Sequence, residues 1–278
     1  MSVDESPRTA RHVGVESVAP GSVGVYDSGV GGVSVLRALR RRLPGAAFVY
    51  VADSGYAPYG DRDPAWVRAR AQAVGDFLVA RGARALVLAC NTASVVAASA
   101  LRERLTVPIV AMEPAIKPAA THTRSGVVLV LATRTTVHSE SVARLVREHG
   151  QGAEILLQPC PGLVERIERG ALDDAGTQAM LADYLGPGLA RGADTIVLGC
   201  THYPFVAPAI ARLAGPGVRI IEPSDAVAAQ LARRLAPQPG PPAACTTFFT
   251  SGSTRALVAF LAAAGWPEHD ARVLPAAI

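Results

Sequence analysis

Two stretches of the chain match each other without a gap: RGARALVLACNT, from Arg81 to Thr92, and RGADTIVLGCTH, from Arg191 to His202. Each opens on Arg-Gly-Ala, runs through apolar residues and carries a cysteine in its tenth place, in a chain of 278 residues with only four cysteines. A short apolar run closed by a small residue and polar followers reads as a buried strand feeding the next helix. The repeat continues, because VPIVAMEP (Val107 to Pro114) and VRIIEP (Val218 to Pro223) both read as strands ending in Glu-Pro. Two similar α/β halves are therefore expected.

From Val23 onward, β-branched runs alternate with amphipathic ones, the pattern of mostly parallel sheets flanked by helices. Strands are predicted at Val23 to Tyr26, Phe48 to Ala52, Ala85 to Ala89, Val107 to Ala111, Val127 to Leu131, Ile155 to Leu157, Thr195 to Leu198, Arg219 to Ile221 and Thr246 to Phe249. Helices are predicted around Leu36, Leu39 and Leu43, at Ala65 to Ala80, at Asp173 to Ala190 and at Ser253 to Ala264. The expected division is a disordered tail over 1–21, a first α/β domain of 22–115 joined by 224–278, and a second of 116–223. The C-terminal segment is expected to pack back on the first half, and the halves to face each other about a pseudo-twofold axis.

The arginines lie along helical patterns without interleaved aromatics, so the net charge of +4 reads as solvated helix faces, with no nucleic-acid partner. The first twenty residues lack the continuous apolar run of a signal peptide or membrane span, and the cysteines have neither metal-finger spacing nor an oxidising context. Free thiols in the cytoplasm, with no membrane partner, are expected. Nothing in the spacing of Cys160, Cys200 and His202 recommends a metal site.

The carboxyl ends of parallel strands, where the next helix exposes free N–H groups, are where such folds hold ligands. Cys90 and Cys200 both fall there, each expected at a helix N-terminus that favours thiolate. Their ordinary alternative is two packed core cysteines. Facing one cleft, they suit removal of a proton from one side of a carbon and its return to the other, which is racemisation or epimerisation. YDSGVGG (Tyr26 to Gly32) lets backbone approach a ligand and gives Asp27 to orient a thiol, or else forms only an Asp-Ser turn. It is no dinucleotide fingerprint, since Ser34 stands where the last glycine is needed. DSGYAPYG (Asp53 to Gly60) is either a bare turn or a loop bringing N–H groups to the crevice. A pyridoxal-phosphate route is discounted, because the only lysine, Lys117, lies in a proline-flanked crossing between halves.

In order along the chain, DSGVGG, PYG, CNTA (Cys90 to Ala93) and GCTHYP (Gly199 to Pro204) resemble the signature segments of the glutamate racemases. EPAIKPA, ATRTTV, CPGLVERIERG and FFTSGS extend the likeness over nearly the whole chain. The resemblance implies two α/β domains with the site between them, and cofactor-free interconversion of L- and D-glutamate to supply peptidoglycan. It implies that Cys90 takes the proton from D-glutamate and Cys200 from L-glutamate, with Asp27, Glu168 and His202 assisting. Glu165 lies near Glu168, and counting from Cys160 favours Glu168. Asp27, Ser28, Tyr59, Gly60, Asn91, Thr92, Thr136, Thr201 and His202 would bind the substrate. A homodimer goes with the resemblance, although no residue pattern fixes its interface. One departure is Thr135, where the family usually has glycine, which puts the geometry around Thr136 in question.

Three other readings compete. A relative acting on aspartate shares the thiol chemistry, but the motif set favours glutamate. A non-catalytic binding module would not require a thiol on each side, and a one-cysteine decarboxylase or hydrolase would need only one. Cys160 and Cys245 are assigned to packing.

Overall fold

The apolar alternation in the chain becomes two fully parallel sheets in the computed structural model, which describes residues 21–150, 152–235, 246–267 and 271–278. The strands are β1 (Val23–Asp27), β2 (Phe48–Ala52), β3 (Ala85–Leu88), β4 (Ile109–Ala111), β5 (Val127–Ala132), β6 (Glu154–Pro159), β7 (Thr195–Gly199), β8 (Arg219–Ile221), β9 (Thr246–Thr250) and β10 (Ala271–Pro275). The helices are α1 (Val33–Arg42), α2 (Pro64–Ala80), α3 (Asn91–Arg104), α4 (Ile116–His122), α5 (Arg134–Val137), α6 (Glu140–His149), α7 (Leu163–Glu168), α8 (Ala175–Ala190), α9 (Ala207–Ala214), α10 (Ser224–Arg234) and α11 (Thr254–Ala263).

One sheet has the order β10-β9-β2-β1-β3-β4 and the other β6-β5-β7-β8. The first four strands of each half thus share one order, second-first-third-fourth, and β9 and β10 extend the first sheet beyond β2. Residues 1–20 of the expected tail, and 236–245 with Cys245, lie outside the described residues.

Both faces of each sheet are buried, and side-chain alternation decides which core each residue enters. Along β5, Leu129 and Leu131 enter the core beneath α7, α8 and α9, whereas Val128 and Val130 enter the one beneath α4 and α6. Along β3, Ala85 and Val87 meet α1, α10 and α11, while Leu86 and Leu88 meet α2 and α3. Helix starts follow the local chemistry: Asp63 accepts from Ala65 N at 2.8 Å ahead of Pro64, and Ser139, Asp174 and Ser253 cap α6, α8 and α11.

The Arg-Gly-Ala repeat proves to be a helix stop. Gly82 and Gly192 adopt φ of +81° and +84°. Behind them, Ala83 N donates to Leu78 O (3.2 Å) and Ala193 N to Gly188 O (3.0 Å), closing α2 and α8 in the same way. The chain then turns directly into β3 and β7, so the two cysteines emerge at corresponding ends of the two sheets.

Candidate active site

Cys90 follows β3 and caps α3, its Sγ accepting from Ala93 N at 3.4 Å and lying 3.4 Å from Ser28 Oγ. Cys200 follows β7, but no α-helix begins there. Pro204 stands where, after Cys90, Ser94 N donates to the cysteine carbonyl; having no N–H, it leaves Cys200 O to Tyr203 N (3.1 Å), so the chain passes first through a 3-10 turn over Tyr203–Val206, and α9 starts at Ala207. The expected helix N-terminus at Cys200 is corrected accordingly; its neighbour is the imidazole of His202, with Nδ1 at 3.8 Å from the sulfur.

Both thiols are buried and line one cleft between the two sheets. Ser28, Tyr59, Gly60, Asn91, Thr92, Thr201 and His202 share its wall. Asp27, Glu168 and Thr136 stand one side chain behind. Asp27 Oδ2 accepts from Thr201 Oγ1 (2.9 Å) and Oδ1 from Gly29 N (2.8 Å). Glu168 Oε1 pairs with His202 Nε2 at 2.9 Å and accepts from Val30 N at 3.4 Å. Of the two glutamates, therefore, Glu168 holds the histidine and Glu165 lines the cleft. Thr136 belongs to a hydroxyl cluster in which Thr92, Thr133 and Thr136 lie within 2.9 to 3.4 Å of one another.

The loop after β1 explains its glycines. A β-carbon on Gly29 would stand 2.1 Å from Glu168 Oε1, and one on Gly31 would stand 2.5 Å from His202 Nδ1. Only residues without a side chain let this loop approach the His202–Glu168 pair so closely.

Burial pushes the Cys90 thiol up to about 12, and the charge of Asp27 adds to the rise against the hydrogen bonds of Ser28 and Ala93 N. The helix N-terminus was expected to favour thiolate, but loss of water outweighs it. Burial also raises Asp27, with His202, Gly29 N and Thr201 opposing. For His202, burial acts downward, yet hydrogen bonds to Cys200 and Glu168 carry it well above its ordinary value. Glu168 falls below its ordinary value, because the bond and charge of His202 outweigh its desolvation. An imidazolium-carboxylate pair thus stands beside Cys200 and a carboxylate acts on Cys90.

Asn91 is buried, and neither Oδ1 nor Nδ2 has a protein hydrogen-bond partner, although the residue lines the cleft. The Tyr59 hydroxyl is instead engaged by Asp53, which also pairs with Arg70 (2.7 Å) and accepts from Ser251 Oγ (2.7 Å). Tyr59 therefore meets the cleft with its ring and backbone. Thr135 is helical, in α5, and both its N–H (3.1 Å) and its hydroxyl (2.7 Å) bond Gly60 O, so no left-handed backbone is needed at this position.

Sequence reasoning missed Thr133, Arg134 and Glu165 on the wall, and gave Cys160 only a packing role. Thr133 was legible as the cap of α5, its Oγ1 accepting from Thr136 N. Cys160 packs in the core of the second sheet and also lines the cleft, its thiol raised to about 12 by burial. Among the described residues, no group of three or more His, Cys, Asp or Glu is arranged to hold a metal, and no helix is long and apolar enough to cross a membrane.

Two parallel sheets thus each send one strand-end thiol to a common cleft. A family model described as Asp/Glu/hydantoin racemase matches residues 31–231, and the chain belongs to that family, as an isomerase. Its particular likeness is to glutamate racemases. The chain is 50% identical to that of Pseudomonas paraeruginosa over 261 residues, covering 91% of this chain and 92% of the relative. It is 53% identical to that of Pseudomonas aeruginosa over 222 residues, covering 80% and 83%. Among solved structures, a glutamate racemase isoform of Bacillus anthracis superposes with a TM-score of 0.82 at 29% identity, covering 93% of this chain and 98% of that one. The Escherichia coli glutamate racemase, in complex with L-glutamate and the activator UDP-MurNAc-Ala, superposes at 0.81 with 30% identity, covering 92% and 98%.

Proposed function

We propose that this racemase interconverts L- and D-glutamate without a cofactor, passing the α-proton between Cys90 and Cys200. One observation carries the reading: two buried thiols from different sheets share a single cleft whose wall also holds an unpartnered amide, Asn91. Cys200 takes the proton from L-glutamate while Cys90 supplies one to the opposite face, and the roles reverse for D-glutamate. The α-proton is a very weak acid, so charge developing on the α-carboxylate needs fixed donors. Asn91, Thr92 and the N-terminal N–H groups of α3 are suited to that task, and Thr201 and Ser28 to the rest of the amino-acid head. His202, held by Glu168, donates to Cys200, and Asp27 orients Thr201. The substrate ammonium brings positive charge next to sulfur, which offsets the burial that keeps Cys90 protonated in the free enzyme.

Residues 22–115 with 224–278 act as one domain and 116–223 as the other, related by a pseudo-twofold axis and closing on the substrate between them. The D-glutamate made in the cytoplasm supplies peptidoglycan, and the working assembly is a homodimer. The test is incubation of the purified protein with either enantiomer in deuterated water, with no cofactor added, following optical rotation and α-deuterium. Interconversion that vanishes in Cys90→Ser and in Cys200→Ser is expected. Turnover of aspartate in preference to glutamate overturns the substrate, and activity surviving either substitution overturns the thiol pair.

A further inference from the structure

The rim of the cleft is made where two segments from different sheets meet. Gly60, between β2 and α2, accepts through its carbonyl from both Thr135 N (3.1 Å) and Thr135 Oγ1 (2.7 Å). Beside this junction, Arg134 Nη1 lies 3.7 Å from Asp61 Oδ1, with both side chains about half exposed. Gly60, Asp61 and Arg134 border the thiol cleft on one side. On the other they border a second, larger cavity, shared with Arg68 and His138, that opens outward between α2, α3 and α6. These three residues are the partition between an inner and an outer space.

The charges on the inner wall are few. Asp61, Arg134, Glu165 and His202 are the ionisable carboxylates and cations of the lining, and His202 is already engaged by Glu168. Among the described residues, Arg134 is therefore the only arginine or lysine lining the cleft. A substrate with a side-chain carboxylate gains most from a guanidinium, whose planar fork matches two carboxylate oxygens. The present partner of Arg134 is easily exchanged. At 3.7 Å the contact is longer than a hydrogen bond, and a half-exposed pair contributes little to stability.

We propose that the Asp61–Arg134 pair is the gate of the cleft and that Arg134 is a specificity-determining residue: the side-chain carboxylate of the incoming amino acid displaces Asp61 from the guanidinium as it passes from the outer cavity to the thiols. The exchange breaks one ion pair and forms another, leaving Asp61 to solvent. Thr135 keeps the neighbouring backbone contact while the side chains swap. The inference rests on the glutamate reading and adds the residue that selects for an acidic side chain.

The test is steady-state racemisation of both enantiomers at several ionic strengths by the wild type, Arg134→Gln, Arg134→Lys and Asp61→Asn, each checked by its melting temperature. In Arg134→Gln, KM is expected to rise at least fivefold for both enantiomers while kcat changes by less than twofold, and the fall of kcat/KM with added salt becomes shallower. Arg134→Lys recovers part of the loss. Asp61→Asn lowers KM, because the guanidinium no longer has a competing partner. KM and salt dependence within twofold of wild type in Arg134→Gln overturn the gate, as does a KM that rises in Asp61→Asn as much as in Arg134→Gln. Should Arg134→Gln not fold, Arg134→Lys and Asp61→Asn decide the matter by the same criteria. Failure of the wild type to racemise glutamate refutes the functional reading itself and is thereby distinct from failure of the gate.

Discussion

Gly31→Ala tests whether the loop after β1 positions the histidine beside Cys200. The added β-carbon would stand 2.5 Å from His202 Nδ1, 2.6 Å from Thr201 Oγ1 and 2.8 Å from His202 Cε1. To regain 3.4 Å, the start of ordinary contact, the ring must retreat by about 0.9 Å. It has no slack for such a move: Nε2 is 2.9 Å from Glu168 and the whole residue is buried. Gly31 is not among the positive-φ glycines, so the cost is steric alone. Overpacking of this kind costs roughly 1–3 kcal/mol. At about 2–4 °C per kcal/mol for chains near this size, the melting temperature should fall by several degrees. A displacement near 1 Å at a reacting centre can cost about 100-fold in rate, and that is the loss of kcat/KM expected here. Because L- and D-glutamate are equal in free energy, the loss must be the same in both directions, which gives the polarimetric assay an internal check. Gly186→Ala is the control: it lies in α8 with nothing within 4 Å of its β-carbon and should be neutral or slightly stabilising. A Gly31→Ala enzyme within threefold of wild-type kcat/KM, melting at the wild-type temperature, refutes the argument.

Asp27→Asn removes a negative charge that acts on Cys90, so the pH midpoint for alkylation of Cys90 by iodoacetamide, followed by peptide mass spectrometry, should move down from about 12 even as turnover falls; an unchanged midpoint refutes the coupling. Glu168→Gln should lower the melting temperature most between about pH 4.5 and 6.5, where the pair is fully charged by the ordinary values of its members. The sign follows from the two shifts: the depressed Glu168 loses its contribution as pH falls through its folded value, and the raised His202 loses its contribution as pH climbs through its own. The two melting curves should therefore converge at both extremes, and a gap independent of pH counts against the ion pair. Asn91→Ala should raise KM for both enantiomers without lowering the melting temperature by more than a few degrees, since the amide it removes has no protein partner to lose; unchanged KM removes Asn91 from the binding wall.

The repeat was the most legible feature, because its parts are backbone devices. Arg-Gly-Ala closes a helix through a left-handed glycine, and the apolar run that follows can only be a strand buried on both faces. β10 was not legible: ARVLP is short, alternates weakly and ends on a proline tolerated only because the strand lies at the sheet edge. Cys200 reads as a helix start by analogy with Cys90, and the feature that separates them is Pro204, four residues downstream, which lacks the donor that Ser94 gives to Cys90 O. The raised Cys90 thiol was invisible for a different reason. A helix N-terminus can be read from local sequence, whereas the burial that outweighs it comes from elements distant in the chain. Arg134 and Thr133 were overlooked because their importance comes from the opposite sheet, where Asp61 and Thr92 await them.

The unequal surroundings of the two thiols bear on a reaction that is itself symmetric. On the proposed assignment, each turnover of L-glutamate leaves the sulfur charge on Cys90 and each turnover of D-glutamate leaves it on Cys200. Burial and the charge of Asp27 disfavour negative charge on Cys90, so the form that would accept D-glutamate is the costlier one. An equilibrium constant of one forbids this preference from altering the ratio of kcat/KM values. It is therefore expected in kcat and KM separately, which should differ between enantiomers in the same proportion. Asp27→Asn should narrow that difference whatever it does to the absolute rate, because it removes the charge that makes the halves unequal at Cys90. Equal kcat for the two enantiomers in the wild type, or a wider gap in the variant, would mean that the electrostatic asymmetry around the thiols is cancelled once substrate is bound.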